Sequence, residues 1–266
     1  TTQHSVTPEF VESNDRAGNV DFDNSFADYF IAWGKFTEHQ RSQYYALNER
    51  STTVFVHERP TSPSEIQLAI DKASTEPITI KRLIVSLMGL RQEEENIRLL
   101  ELAFPISHAR SIPLLIRPHP SLYIEKYHHL LDEFVAQYPI EVELSDSAKT
   151  IQSKYTNNSL GLTGLTSTYY ENLFFGIPVL FYDHGIRLVT QLPRVLPGIK
   201  SLEQALSQID TIEKLTISEW FAIADPICQS VYNLKCLDFA RHISMIDFTN
   251  SHLANFPNQR SQTNAN

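Results

Sequence analysis

Three short segments carry side chains whose types and spacing could do chemistry. The first is Arg117-Pro118-His119-Pro120. Two prolines keep such a segment extended. His119 is then presented rigidly, able to donate a hydrogen bond to a phosphate or sugar oxygen, and Arg117 can offer a two-pronged fork to an anion. A structural turn with a surface histidine would read the same way. The second is Gly164-Leu165-Thr166-Ser167-Thr168, where three hydroxyls and several backbone N–H groups gather ahead of an expected helix. Such donors form an anion site, whereas a plain N-cap needs only one hydroxyl. The third is Glu171, in the first turn of that helix, with Gly176-Ile177-Pro178-Val179 behind it. A carboxylate there can accept hydrogen bonds from ribose hydroxyls, though a lone Glu also simply complements a helix dipole.

The elements that must position these segments follow from hydrophobic patterning. Buried strands are expected at Leu83–Leu87, Leu114–Arg117, Ile140–Leu144, Ser159–Thr163 and Ile177–Tyr182, with two earlier ones at Ala27–Trp33 and Thr52–His57. Short apolar runs bounded by turn residues read this way. Helices are expected at Thr37–Leu47, Ser64–Ala73, Gln92–Phe104, Ile124–Gln137, from an N-cap at Ser145 to about Tyr155, and at Tyr169–Phe175. Three more follow at Ser201–Ile209, Ile217–Ala224 and Pro226–Arg241. Strands alternating with helices imply an α/β, Rossmann-like parallel sheet covered on both faces. Ligands of such sheets sit beyond the carboxyl ends of the strands, which is where Arg117–Pro120 and Gly164–Thr168 fall. Gly89, Gly164, Gly176 and Gly185 lie at strand–loop junctions, as ordinary turns or as close approaches to a ligand.

Composition narrows the function. The 266 residues are 42% hydrophobic, and none of the apolar runs approaches the ~18 residues of a membrane span. A net charge of −9 argues against a nucleic-acid partner, which needs a concentrated basic face. The two cysteines, Cys228 and Cys236, lack metal or redox spacing and read as free buried thiols. No G-x-G-x-x-G, Walker, H-E-x-x-H or G-x-S-x-G pattern occurs. His128-His129 reads as helix surface with no partner carboxylate.

The order strand–Arg-Pro-His-Pro–helix, then a Ser-Asp-Ser helix, then GLTSTYYENLFFGIPVLFYD, resembles bacterial surface-polysaccharide glycosyltransferases. That group includes sialyl-, polysialyl- and Kdo-transferases and the related glycerophosphotransferases of teichoic acid synthesis. The resemblance spans Lys81–Asp183, with Ala27–Lys35 similar to the strand near a domain crossover. It implies the C-terminal, donor-binding domain of a GT-B enzyme. His119 and a hydroxyl pair among Thr166, Ser167 and Thr168 would grip the donor phosphate, beside Arg117, and Glu171 would bind the nucleotide. His119 would act catalytically by neutralising the leaving phosphate. The expected reaction is inverting and metal-independent, from a CMP-linked or other nucleotide-activated sugar to a glycan or glycolipid acceptor, in capsule or lipopolysaccharide assembly. The expected place is the cytoplasm, at the inner membrane face through a missing or partner domain. No cofactor or metal is expected. Asp21-Phe22-Asp23 matches the D-x-D of metal-dependent transferases but lies in a polar lead-in, not after a strand.

Three regions are expected: residues 1–80 as a lead-in and partial N-terminal segment, 81–254 as the nucleotide-sugar-binding domain, and 255–266 as a disordered tail. About 80 residues before Lys81 are too few for an acceptor domain, so either the chain is a fragment or its N-terminal half is missing in nature; its general base cannot be named, and it is expected to bind a nucleotide weakly and transfer no sugar by itself. Two other readings stand beside this. A nucleotide-sugar 2-epimerase shares the fold but carries tandem glutamates where this chain has Glu171 alone. A non-catalytic docking module of a polysaccharide-assembly protein would need no base.

Overall fold

The structure is a computed structural model. It describes residues 76–89, 92–119, 122–145, 158–184 and 193–232, with short pieces at 29–32, 34–36, 38–39 and 53–56. Within it β1 (Tyr29–Ala32) pairs in parallel with β2 (Thr53–Val56). A second, five-stranded sheet is built from β3 (Arg82–Ser86), β4 (Leu114–Arg117), β5 (Val142–Leu144), β6 (Ser159–Thr163) and β7 (Val179–Phe181). Its strand order is β5-β4-β3-β6-β7, and every pairing is parallel. The helices are α1 (Glu93–Arg110), α2 (His128–Gln137), α3 (Thr168–Phe174), α4 (Leu202–Ile212) and α5 (Ile217–Tyr232).

Patterning explains the layers. Leu83, Ile84 and Val85 of β3 are wholly buried, and all five residues of β6 are buried. Side chains alternate between faces, so a strand buried throughout must be covered on both. On α4, Ala205, Ile209 and Ile212 form one buried stripe, and Ser201 caps the helix by accepting from Gln204 N at 3.3 Å. Trp220, Phe221, Ala224 and Cys228 put the inner face of α5 into the same core, where α5 packs on α3.

Several boundaries differ from expectation. Helix α1 does not stop before Pro105 but runs on to Arg110. A proline inside a helix removes one hydrogen bond and crowds the preceding turn, costing ~3 kcal/mol in isolation. Here the last turn is held from outside. Ile106 and Ser107 are buried, and Ser111 closes the helix in the left-handed conformation. Ile112 N donates back to Ser107 O at 3.1 Å. Arg110 pairs with Asp210 at 3.0 Å and with Glu213 of the segment following α4. Tertiary contacts outweigh the local penalty. Likewise α5 continues through Pro226 to Tyr232, joining the expected helices at Ile217–Ala224 and Pro226–Arg241 as far as they are described; residues 233–241 lie outside the described residues. The expected helix at Ile124 begins as a 3-10 turn, Ile124–Tyr127, before α2. His129 does have a carboxylate partner, Glu133 one turn on at 3.1 Å, and the pair is exposed on the helix surface. The expected helices at 64–73 and 145–155 lie mainly or wholly outside the described residues, as do Asp21-Phe22-Asp23, Pro120, Gly185, Cys236 and residues 255–266.

Gly176, between α3 and β7, has φ +67°. An L side chain is strained in that region, and a Cβ there would run into the Phe221 ring. Among the described residues, no helix is long and apolar enough to cross a membrane.

Candidate functional site

The sheet order locates the site. From β3 the chain steps outward through β4 to β5, then returns to place β6 on the other side of β3 and β7 beyond it. In register, Ser86 of β3 faces Arg117 of β4 on one side and Thr163 of β6 on the other. The reversal between β3 and β6 is a topological switch point, and open parallel sheets bind ligands in the crevice outside the strand ends there. All three segments singled out by residue chemistry follow β4 or β6 on this edge.

The loop after β3 is held by one side chain that sequence reasoning missed. Asn96, wholly buried in the first turn of α1, accepts from Met88 N at 2.7 Å and donates to Met88 O at 3.0 Å. The double bond fixes the backbone where β3 leaves the sheet.

Across β3, the segments after β4 and β6 come together. Arg117 Nη1 lies 3.5 Å from Thr168 Oγ1, and Thr168 Oγ1 lies 3.3 Å from Thr166 Oγ1. His119 is exposed. Partial burial, and then the Arg117 guanidinium, draw its pKa below the usual histidine value, so it is neutral near pH 7. Glu171 sits half-buried in the first turn of α3, with no side-chain partner among the described residues.

The expected cluster of free backbone donors is smaller than the sequence suggests. Thr166 N donates to Gly164 O, Tyr169 N to Thr166 O, and Tyr170 N to Ser167 O. Thr168 N is taken by the Thr166 hydroxyl at 3.4 Å. Helix α3 is only seven residues long, so its dipole is short as well. What remains is Ser167, whose side chain makes no capping bond, together with the Arg117 fork.

A fourth segment, after β7, completes the edge. Gly164 is wedged between Met88 and His184: a Cβ at Gly164 would lie 2.7 Å from Met88 Sδ and 2.5 Å from His184 Nε2. The His184 ring meets Tyr182 edge-on, with centroids 4.4 Å apart. Burial above all, with a further push from the Arg98 charge and against a pull from Asp183, lowers its pKa to about 4. The next described segment is tied to α3, because Val195 N donates to the Tyr169 hydroxyl at 3.0 Å. Burial pushes that phenol up to about 12.

Buried polar atoms are nearly always hydrogen-bonded. Here Arg117 Nε, Thr163 Oγ1, both amide atoms of Asn172 and both ring nitrogens of His184 are buried with no partner among the described residues. Arg117, Thr163 and His184 stand at the carboxyl ends of three strands of one sheet, and Asn172 lies on the helix that covers β6. Donors and acceptors left open at such an edge are suited to a polar ligand. Among the described residues no group of three or more His, Cys, Asp or Glu is arranged to hold a metal ion. His184 and Asn96 were missed for different reasons. His184 lies three residues past β7, near the position that deserves inspection, but sits in a Tyr-Asp-His-Gly run that reads as a turn. Asn96 carries no sequence signal, since an Asn early in a helix is ordinary.

Comparison with known proteins supports the fold. No family model matches the chain, and no curated protein matches it. Among solved structures it is similar to the wall teichoic acid polymerase TagF (13% identity, TM-score 0.51, covering 96% of this chain and 67% of that one). It is similar to the Methanocaldococcus jannaschii UDP-GlcNAc 2-epimerase in complex with UDP-GlcNAc and UDP (12%, TM-score 0.52, 91% and 68%). It is also similar to the GtfA/B complex (15%, TM-score 0.51, 94% and 52%). The chain thus spans roughly half to two thirds of these neighbours' length. It has the α/β, Rossmann-like fold of GT-B glycosyltransferases and nucleotide-sugar epimerases.

Proposed function

We propose that this chain is the donor-binding part of a glycosyltransferase, taking a sugar from a nucleotide-activated donor to a cell-surface glycan acceptor. The observation that carries the reading is the meeting of Arg117 and Thr168 across the end of β3, at the switch point of the sheet. Arg117 would hold the donor phosphate with two parallel hydrogen bonds, and the Ser167 hydroxyl would donate to another phosphate oxygen. Glu171 would accept from the ribose. His119, neutral in the free chain, would donate from its ring N–H to the phosphate and so stabilise the negative charge that grows on the departing group. CMP is the nucleotide favoured by the resemblance to sialyl- and Kdo-transferases. The proposal includes an inverting reaction without a divalent ion, in the cytoplasm at the inner face of the membrane, in capsule or lipopolysaccharide synthesis.

The test is a calorimetric titration with CMP, CDP, UDP and GDP, with and without EDTA. The expected result is binding of one or more, unchanged by EDTA and weakened about ten-fold or more by Arg117→Ala. Silence from all four would end the reading. A 2-epimerase-like activity is the second reading, favoured by the similarity to the UDP-GlcNAc 2-epimerase. It separates cleanly, because an epimerase converts UDP-GlcNAc with no acceptor present.

A further inference from the structure

The His184 imidazole has no role in the account above, and its surroundings are unusual. Both ring nitrogens are shielded from water, and neither has a hydrogen-bond partner among the described residues. The ring fills the notch left by the missing side chain of Gly164, against the edge of Tyr182. No described group there bonds to its nitrogens. A phenyl ring would fill the same space without two orphaned polar atoms, and replacing unpartnered buried polar groups by apolar ones of similar shape is neutral or stabilising. Stability alone therefore gives no reason for a histidine here. Residues that cost stability in a strand-end crevice are commonly retained for ligand binding.

Position says which part of a ligand it would meet. Arg117 and Thr168 mark the phosphate on the β4 side of the Gly164–Thr168 loop. His184 stands on the opposite, β7 side, with Gly164 between. Its charge state says what chemistry it would offer. Arg98 and Asp183 are the charges that bear on it, and burial keeps the ring neutral. A neutral imidazole has one donor and one acceptor. That pair matches a hydroxyl group, which both donates and accepts, better than a phosphate, which only accepts.

We infer that His184 is a sugar-binding residue of this site: its ring turns out of the Gly164 notch and bonds a hydroxyl of the donor sugar while Arg117 holds the phosphate. The inference rests on the donor-binding reading proposed above. Side-chain rotations of this size are common when ligands bind.

The experiment compares each nucleotide-sugar with its bare nucleotide, UDP-N-acetylglucosamine against UDP and CMP-sialic acid against CMP. Wild type, Arg117→Ala, His184→Phe and His184→Gln are titrated and their thermal midpoints recorded. Arg117→Ala should weaken the sugar and the bare nucleotide alike. His184→Phe should weaken only the nucleotide-sugar, about three- to ten-fold, while its midpoint stays level or rises. His184→Gln, which keeps one donor and one acceptor, should recover part of the loss. Equal weakening of nucleotide and nucleotide-sugar by His184→Phe would overturn the sugar assignment, as would unchanged affinity for both. A fall in midpoint for His184→Phe with binding unchanged would mark the ring as structural. If wild type binds none of the four ligands, the donor-binding reading itself fails and the inference falls with it. Wild-type binding that depends on Arg117 and not on His184 sinks the inference alone.

Discussion

Asn96→Ala tests whether one buried side chain holds the floor of the site. Removing the amide leaves Met88 N–H and Met88 C=O unpaired in a place with no access to water. Each orphaned buried group costs ~1–3 kcal/mol, so the pair should cost ~2–6 kcal/mol. For a chain of this size that is a fall of very roughly 5–20 °C in melting temperature. Asn96→Asp separates the two bonds. Its carboxylate can still accept from Met88 N but turns lone pairs toward Met88 O. Burial and that carbonyl would raise the folded-state pKa above the ordinary ~3.9. A raised folded pKa means stability that is intact below the unfolded value and lost as pH rises through the folded one. Asn96→Asp should therefore approach wild type near pH 4, where the protonated acid donates to Met88 O, and approach Asn96→Ala near pH 8. Urea unfolding of all three proteins at both pH values reads this directly. A loss below ~1 kcal/mol for Asn96→Ala, or a difference between Asn96→Asp and wild type that ignores pH, would refute the clamp.

Two further outcomes follow from named contacts. Gly176→Ala combines backbone strain at φ +67° with a collision against Phe221. It should cost ~2–5 kcal/mol in chemical denaturation, and a cost under ~1 kcal/mol would mean that α5 gives way easily. His119 has its pKa lowered by partial burial and by Arg117. A bound phosphate would offset the Arg117 charge and raise that pKa, so binding would take up a proton between the two values. Nucleotide affinity should then strengthen as pH falls from 7.5 toward 5.5, and His119→Ala should flatten the profile; a flat wild-type profile would remove His119 from the phosphate.

The sheet was legible because its strands declare themselves. Leu114–Arg117 and Ser159–Thr163 occur at the bounds read from the sequence, since apolar runs between turn residues have few other uses in an alternating α/β chain. Helix ends were less legible, because they are decided by partners far along the chain. Pro105 and Pro226 are local stop signals overruled by Arg110 meeting Asp210 and by the burial of Phe221 and Cys228. In the site, Arg117 and Thr168 were legible as candidates from their residue types and their positions after strands. That they touch depended on β4 and β6 flanking the same strand, which no local pattern states. The loss of free N–H groups in Gly164–Thr168 was invisible too, because it arises from the tight turn the loop adopts.

The central place of β3 has a consequence for the order in which the molecule is made. Its partner β4 follows after a single helix, but its other partner, β6, begins at Ser159, which pairs back to Arg82. A ribosome delivers β3, β4 and β5 as neighbours that can zip outward at once. The opposite flank of β3 must stay bare until β6 emerges. Bringing distant segments together carries a loop-closure cost before any contact rewards it, and parallel pairings of this kind form slowly. The crevice is bounded by β3 on one side and β6 on the other, so it comes into being only with that late pairing. During synthesis the ligand-binding edge and the exposed flank of β3 are alternatives, and a nascent chain that has the first does not offer the second to aggregation.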